Sequence, residues 1–423
     1  MRKTIGLPMV LILLLILGMT CSAVAAPKVT LEWWTHNWGD AFGDWIQATI
    51  ESFEAKNPDV KIKWVDVKEI NETYLTAAIG GQAPDVFLNY GPQIFTEKNL
   101  LLDLTPYLTE EVRASFIDMV WTLEEPIKGD GFYAVPFYTD GPPPLWYNKE
   151  ILADAGIDLE KGLPSNDFEL LDMSVKIYQA TGKYGFAFKT SGWGNYGPMR
   201  IFQSHDLDIF QDGNINLASD EAVEILEKWV WAYQNGGIPP EATTGVSRDD
   251  LNWFLEERAA MVMLGGWICR YFPPSFTEER LGVTLQPRGR SGKVWGSPYN
   301  WWSVSAGSKH PKEAVDFAIF LATDPGVVVA WTKAVGAIIP MSKAAFEDPY
   351  FTAAPQTWAE KARGVQAEMQ MNWPVMPNVP LVSNWVELKT ILKEKVDQAF
   401  AGQITARKAL EEAEKEWELV LGY

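Results

Sequence analysis

The stretch Gly131–Leu152, GFYAVPFYTDGPPPLWYNKEIL, constrains this chain more than any other. It opens as an apolar strand, Phe132 to Val135, meets Pro136, and shows a polar cluster, Tyr138-Thr139-Asp140. Three consecutive prolines follow, Pro142 to Pro144. The chain then resumes as a second aromatic strand, Leu145-Trp146-Tyr147, with Asn148 where a helix N-cap belongs. Proline fixes its own φ and narrows the residue before it, so few conformations are open between the two strands. Such a stiff joint is expected to carry the chain from one lobe to another, with the polar cluster at the crossing. The rest of the sequence must supply both lobes.

At 423 residues the chain is long enough for two domains of ordinary size. Residues 1–25 read as an export leader: Arg2 and Lys3, an apolar run from Leu7 to Leu17, then Ala23-Val24-Ala25 before a cleavage point. That run is short for a membrane-spanning helix. The expected product is exported, to the periplasm or the cell surface. A lipid anchor on Cys21 is the lesser alternative, because Met19 fits the small-residue pattern before a lipidated cysteine poorly. Cys269 is then left alone, which excludes a disulfide framework and suggests a buried thiol. The formal charge of −19 argues against nucleic acid or an anionic membrane surface as partner. The 20 tryptophans, many beside Gly, Pro or Asn, say more. An indole offers a flat apolar face and one N–H donor, suited to the C–H face of a pyranose ring, although most are expected to serve as core.

Along the mature chain the pattern alternates strand and helix. Val29 to Trp34 reads as a strand, followed by a helix ending at Lys56, a strand through Val60, Ile62 and Trp64, a helix over 71–79, and a strand over 84–88. This order predicts a mostly parallel sheet flanked by helices, with ligands beyond the carboxyl ends of the strands. The same reading places helices at 168–181, 220–234, 249–257, 311–322, 352–362, 383–401 and 405–421. It places further strands at 184–188, 260–264 and 281–285.

Several pieces, in order, resemble the extracellular solute-binding proteins of sugar ABC importers, the family that includes maltose-binding protein. They are Pro84-Asp85-Val86 with Leu101 to Leu108, the crossing from Tyr133 to Glu150, and Arg258 to Trp267. Gly307 to Ala314, Gly336 to Pro340, and Met376 to Pro380 with Trp385 complete the series. The resemblance spans nearly the whole mature chain. It implies two α/β lobes joined by three crossings, with lobe one over 26–137 and 289–335 and lobe two over 138–288 and 336–423. It implies a carbohydrate ligand in the cleft, ABC permease subunits as membrane partners, a monomer, no cofactor and no chemistry. Three prolines at 142–144 depart from the family pattern and are expected to stiffen the hinge.

Carried over by motif position, the ligand-side residues are His36, Asn37 and Trp38 after the first strand, Asn89 after the third, and Asp140 at the crossing. Trp193, Tyr196 and Trp267 are expected from lobe two, with Trp301, Trp302 and Trp385 completing the set. Sugar hydroxyls both donate and accept, so such planar polar groups beside aromatic faces suit them. Each has a plainer alternative: His36 as a cap or packing ring, Asp140 as a turn cap, Trp193 as a brace. If Trp301 and Trp302 lie on a strand, one of them faces away from the cleft. No metal motif includes His36. The competing reading is a secreted carbohydrate hydrolase, which shares export, acidity and Trp-rich clefts but needs a carboxylate pair across a sugar site.

Overall fold

A computed structural model of the chain describes residues 28–422 apart from 124–125, 192–196, 206, 208, 212–213, 247, 297–298, 337, 374 and 377–383. The leader with Cys21, the loop residues Trp193 and Tyr196, and the segment 377–380 therefore lie outside the described residues.

Ten strands build two main sheets: β1 Val29–Thr35, β2 Val60–Asp66, β3 Val86–Asn89, β4 Val135–Thr139, β5 Leu145–Asn148, β6 Tyr184–Ala187, β7 Ala259–Met263, β8 Leu281–Thr284, β9 Tyr299–Val304 and β10 Ile339–Pro340. The first sheet has the order β10-β4-β9-β3-β1-β2 and the second β8-β5-β7-β6. Only β1–β2, β1–β3 and β6–β7 pair in parallel; β9 and β10 in the first sheet, and β5 against its two neighbours, run antiparallel. The expectation of mostly parallel sheets thus holds for the opening β-α-β-α-β run and for β6–β7, while the two sheets taken whole are mixed. Each return of the chain across the crossings inserts a strand of opposite direction, which local periodicity does not encode.

The expected strand over Phe132–Val135 lies one step later. It runs from Val135 to Thr139 and carries Pro136 inside the sheet, opposite Trp301. A proline has no N–H for the ladder, and the register shifts between Asn300 and Trp301 at this point, so the irregularity absorbs the missing donor. The helix expected at 352–362 instead spans Trp358–Asn372, opened by Thr357 and Glu360 in a reciprocal capping box.

Behind the first sheet the tryptophans form an edge-to-face pile. Trp33 meets Trp45 at 5.6 Å, Trp302 at 5.8 Å and Phe317 at 5.3 Å, and Trp45 Nε1 donates to the Val327 carbonyl at 2.9 Å. Offset and edge-on pairs are the favourable arrangement for such rings. The core of this lobe includes Tyr138, and later Ile338, Ile339, Met341 and Ala345. The core of the other lobe includes Trp295, and the small cluster beside it includes Ala362. Residues near the expected switches at 138, 289 and 336 thus pack as follows: Tyr138, Ile338 and Ile339 with the first sheet, and Trp295 with the second.

The two sheets share one geometric property. The carboxyl ends of β1, β3 and β4 lie at one edge, since Trp34 registers with Phe87, Asn89 with Trp301, and Thr139 with Tyr299 and Ile339. In lobe two the ends of β6, β7 and β8 likewise share an edge with the start of β5, where Leu145 sits opposite Met263 and Thr284. The short joint 140–144 links these two edges.

Candidate functional site

On the lobe-one side, β1 runs out at Thr35 and places His36 in a buried position. Its Nδ1–H donates to the Val67 carbonyl at 2.5 Å, and the ring stacks on Tyr90 at 5.6 Å and meets Trp38 edge-on at 4.9 Å. Burial holds the imidazole below its ordinary pKa, against the opposing pull of that carbonyl. His36 thus orders the rim. Trp38 passes the contact on to Phe42 and Trp331, at 4.8 and 5.2 Å. Asn37 is exposed, but its Oδ1 accepts from Gly39 N–H at 2.9 Å in a local turn ahead of helix Asp40–Lys56.

Asn89, expected at the ligand, is fully buried and spends its amide on the protein. Nδ2 donates to Ser303 Oγ at 3.1 Å and Oδ1 accepts from Gly91 N–H at 2.9 Å. The next residue, Tyr90, takes the rim position, with its hydroxyl pushed well above the usual range by burial and by the charge of Asp140. Trp301 and Trp302 are both fully buried, so neither offers a free face. Trp302 belongs to the pile with Trp33 and Phe137. Trp385 is core as well: with Leu388, Leu392 and Val396 it forms a helical stripe in the lobe-two core, edge-on to Trp417 at 6.1 Å. That stripe begins one turn earlier than its leucines suggest.

Asp140 opens the joint between the two sheets. A Cβ on Gly265, after the end of β7, would be in ordinary contact with Asp140 Cβ at 3.6 Å but only 2.6 Å from Trp267 Cδ1, so glycine here makes room for the neighbouring indole. Gly141 next to it has φ +65°, and a Cβ there would fall 2.7 Å from Ile339 Cδ1. The joint is bolted to the second crossing by the buried Gln286. Its Nε2 donates to Pro143 O at 3.0 Å and to Trp295 O at 3.3 Å, while its Oε1 accepts from Trp295 N–H at 3.0 Å. Pro143, Arg200, Leu264, Gly265, Trp267 and Trp295 line a hollow of about 30 Å³ at the lobe-two edge, beside the joint. A sugar ring needs several times that, so this hollow must widen to admit one. A hollow of about 350 Å³ is lined by Asn166–Phe168, His205 and Arg288–Arg290, away from the joint 140–144. There Arg290 pairs with Glu224, Asp167 with Ser204 and His205, and Arg288 lies over Trp373.

The lobe-two wall is aromatic and cationic. Trp267 is half-buried on the turn Gly266–Tyr271, and Arg200 lies over Trp295 at 4.4 Å while Nη2 donates to Met263 O at 2.7 Å. Tyr90, Arg200, Arg270 and Trp295 join the site without having been expected. Tyr90 and Arg270 stand one and three residues from residues that were, a proximity that signals strand-end loops as units. Arg200 and Trp295 have no local signal.

Burial lifts the Asp140 carboxyl from 3.8 to about 6, against the nearby Arg270 guanidinium. Because the folded value lies above the unfolded one, this group's contribution to stability is fully present below about pH 4 and is lost as the pH rises through about 6. The displacement corresponds to roughly 2–3 kcal/mol. Asp140→Asn is therefore expected to raise the thermal midpoint by several degrees at pH 8 and to change it little at pH 4.5. Unfolding followed by circular dichroism at the two pH values checks this, and equal shifts at both would overturn it.

The profile of the bacterial extracellular solute-binding proteins matches residues 37–328. An uncharacterised lipoprotein of Streptomyces antibioticus is 27% identical over 382 residues, spanning 85% of this chain and 81% of that one. A maltotriose-binding protein of Pyrococcus abyssi is 26% identical over 313 residues, 72% of this chain and 65% of its own. The maltose-bound MalE3 of T. maritima superposes with a TM-score of 0.73 at 22% identity, covering 93% of this chain and all of that one. Its fold is that of a two-lobe periplasmic sugar-binding protein. The match over most of the chain also sets aside the hydrolase reading, since this is a family of binding proteins and not of enzymes. On the extent of the profile match, this chain belongs to the bacterial extracellular solute-binding protein family.

Proposed function

We propose that the protein is the extracytoplasmic binding component of an ABC importer, capturing an oligosaccharide or related polyol between its lobes and presenting it to the membrane permease as a monomer. The observation that carries this reading is the approach of Asp140, at one sheet edge, to Gly265 at the other, where Trp267 follows in the turn. The carboxyl ends of strands in an α/β sheet are the usual place for a ligand, and here two such edges face one another. Trp267 supplies an aromatic face, while Asp140, Tyr90 and Arg200 supply hydroxyl partners of both kinds. The sugars named for its relatives, maltotriose and maltose, are of the size that two aromatic walls accommodate. Closure of the lobes about the three crossings would convert binding into a shape the permease reads.

The test is a panel of neutral oligosaccharides and polyols, followed by tryptophan fluorescence and small-angle scattering. The expected result is quenching or a spectral shift with a decrease in radius of gyration for at least one ligand, recovered unchanged by mass spectrometry. Absence of compaction with every member would overturn the reading, and so would recovery of hydrolysis products.

A further inference from the structure

Of the arginines, Arg258 pairs with Glu241, Arg280 with Glu150 and Glu257, Arg290 with Glu224, and Arg407 with Asp220, while Arg113, Arg288 and Arg363 lie over single aromatic clusters of their own. Arg248 and Arg270 differ in sharing one ring. Both guanidiniums lie on the ring of Tyr271, at 5.3 and 5.0 Å from its centroid, and Arg248 Nη1 donates to the Tyr271 hydroxyl at 2.9 Å. Neither has an ion-pair partner among the described residues. Arg270 also lies 5.8 Å from the ring of Trp267, the indole that lines the hollow beside the joint.

Two like charges on one ring repel, and in a chain with 55 acidic against 36 basic residues a carboxylate partner was not scarce. What the arrangement does supply is a pair of planar forks held by stacking, with no carboxylate on either and one Arg248 N–H given to Tyr271, beside a sugar-stacking face. Guanidinium forks bind carboxylate and phosphate groups through paired, charge-assisted hydrogen bonds.

Resting on the carbohydrate reading above, we propose that the solute is an acidic sugar, its ring packed on Trp267 and its carboxylate or phosphate held by Arg270 and Arg248. The test uses pairs differing only in charge: trigalacturonate against its methyl triester for the carboxylate, and glucose 1-phosphate against glucose for the phosphate. Titration calorimetry at 20 and 200 mM NaCl is expected to show the acidic member of one pair binding at least about tenfold more tightly than its neutral partner, as a charge-assisted pair requires. That preference should shrink at the higher salt. Arg270→Gln should weaken the acidic member at least about tenfold more than the neutral one. Both arginines are solvent-facing, so an unchanged thermal midpoint verifies folding. Neutral sugars that bind and compact the protein as well as their acidic partners would overturn this inference alone, as would Arg270→Gln weakening both members alike. Failure of every sugar, acidic or neutral, would overturn it together with the carbohydrate reading.

Discussion

Trp267→Ala is expected to weaken solute binding by about 100-fold while leaving the thermal midpoint within a few degrees of the wild type, as for a central aromatic anchor of a binding site. The asymmetry follows from where the indole sits. It lies on the turn Gly266–Tyr271 at the rim of the lobe-two core, half-buried, and lines the hollow beside the joint. Its neighbours in the turn, Ile268 and Gly266, are buried and hold the backbone without it. Folding therefore gains little from the side chain, whereas a sugar closing against it would bury a large apolar face at small entropic cost. Calorimetric titration of the variant with the best ligand from the sugar panel, beside a thermal scan, measures both quantities. Affinity within threefold of the wild type would remove Trp267 from the site.

Gly289→Ala is expected to destabilise the protein by more than about 3 kcal/mol, placing it among the severe single substitutions. A Cβ at this position would lie 1.9 Å from the Ser204 carbonyl oxygen and 2.2 Å from its carbon, both main-chain atoms of a buried turn. No rotamer relieves such a collision. The segment also has little room to retreat: Arg288 N–H donates to Ser165 O at 3.0 Å, Asp167 N–H donates to Arg288 O at 3.1 Å, and Gly289 N–H donates to Lys293 O at 3.0 Å. Overpacking that must move backbone in place of side chains is costly. Gly307→Ala is the control, since nothing lies within 4 Å of a Cβ there and the backbone is ordinary. It should be neutral within about 0.5 kcal/mol. Denaturant unfolding of both variants decides the matter, and a Gly289→Ala variant within 1 kcal/mol of wild type would show that the approach of the second crossing to Ser204 can relax.

Much of the site was legible as position and little of it as role. The strand ends after β1, β3, β4 and β7 are where aromatic and polar residues cluster, and that clustering is visible in the sequence because apolar alternation stops there. His36, Trp38, Asp140 and Trp267 all lie at these ends. Whether a given residue looks into the cleft or into the protein depends on what covers it. Asn89, expected at the ligand, turns inward because Ser303 and Gly91 take up its amide, and Tyr90 beside it holds the rim. Trp301 and Trp302 point to opposite sides of β9, yet helices and neighbouring strands cover both sides, so alternation alone did not distinguish cleft from core. Trp385 reads as a helix-start aromatic and serves as the first residue of a core stripe. Arg248, Arg270 and Tyr271 have no shared pattern in the sequence and meet only because two turns fold side by side.

What the amino-acid sequence by itself determined is local: the helices and strands, set by apolar period and capping residues, and a proline-bound joint between two strands at Gly131–Leu152. The tertiary structure alone decided three things. It placed β9 between β3 and β4, so that a strand from beyond residue 298 completes a sheet begun at residue 29. It packed Tyr138 and Ile339 into the core behind the first sheet and Trp295 into the core of the second. And it brought Asp140 up to Gly265, next to Trp267. The physical reason is common to all three. Periodicity records which face of an element is apolar, while the identity of the surface that covers that face is settled by contacts among residues far apart in the chain, which no local pattern carries.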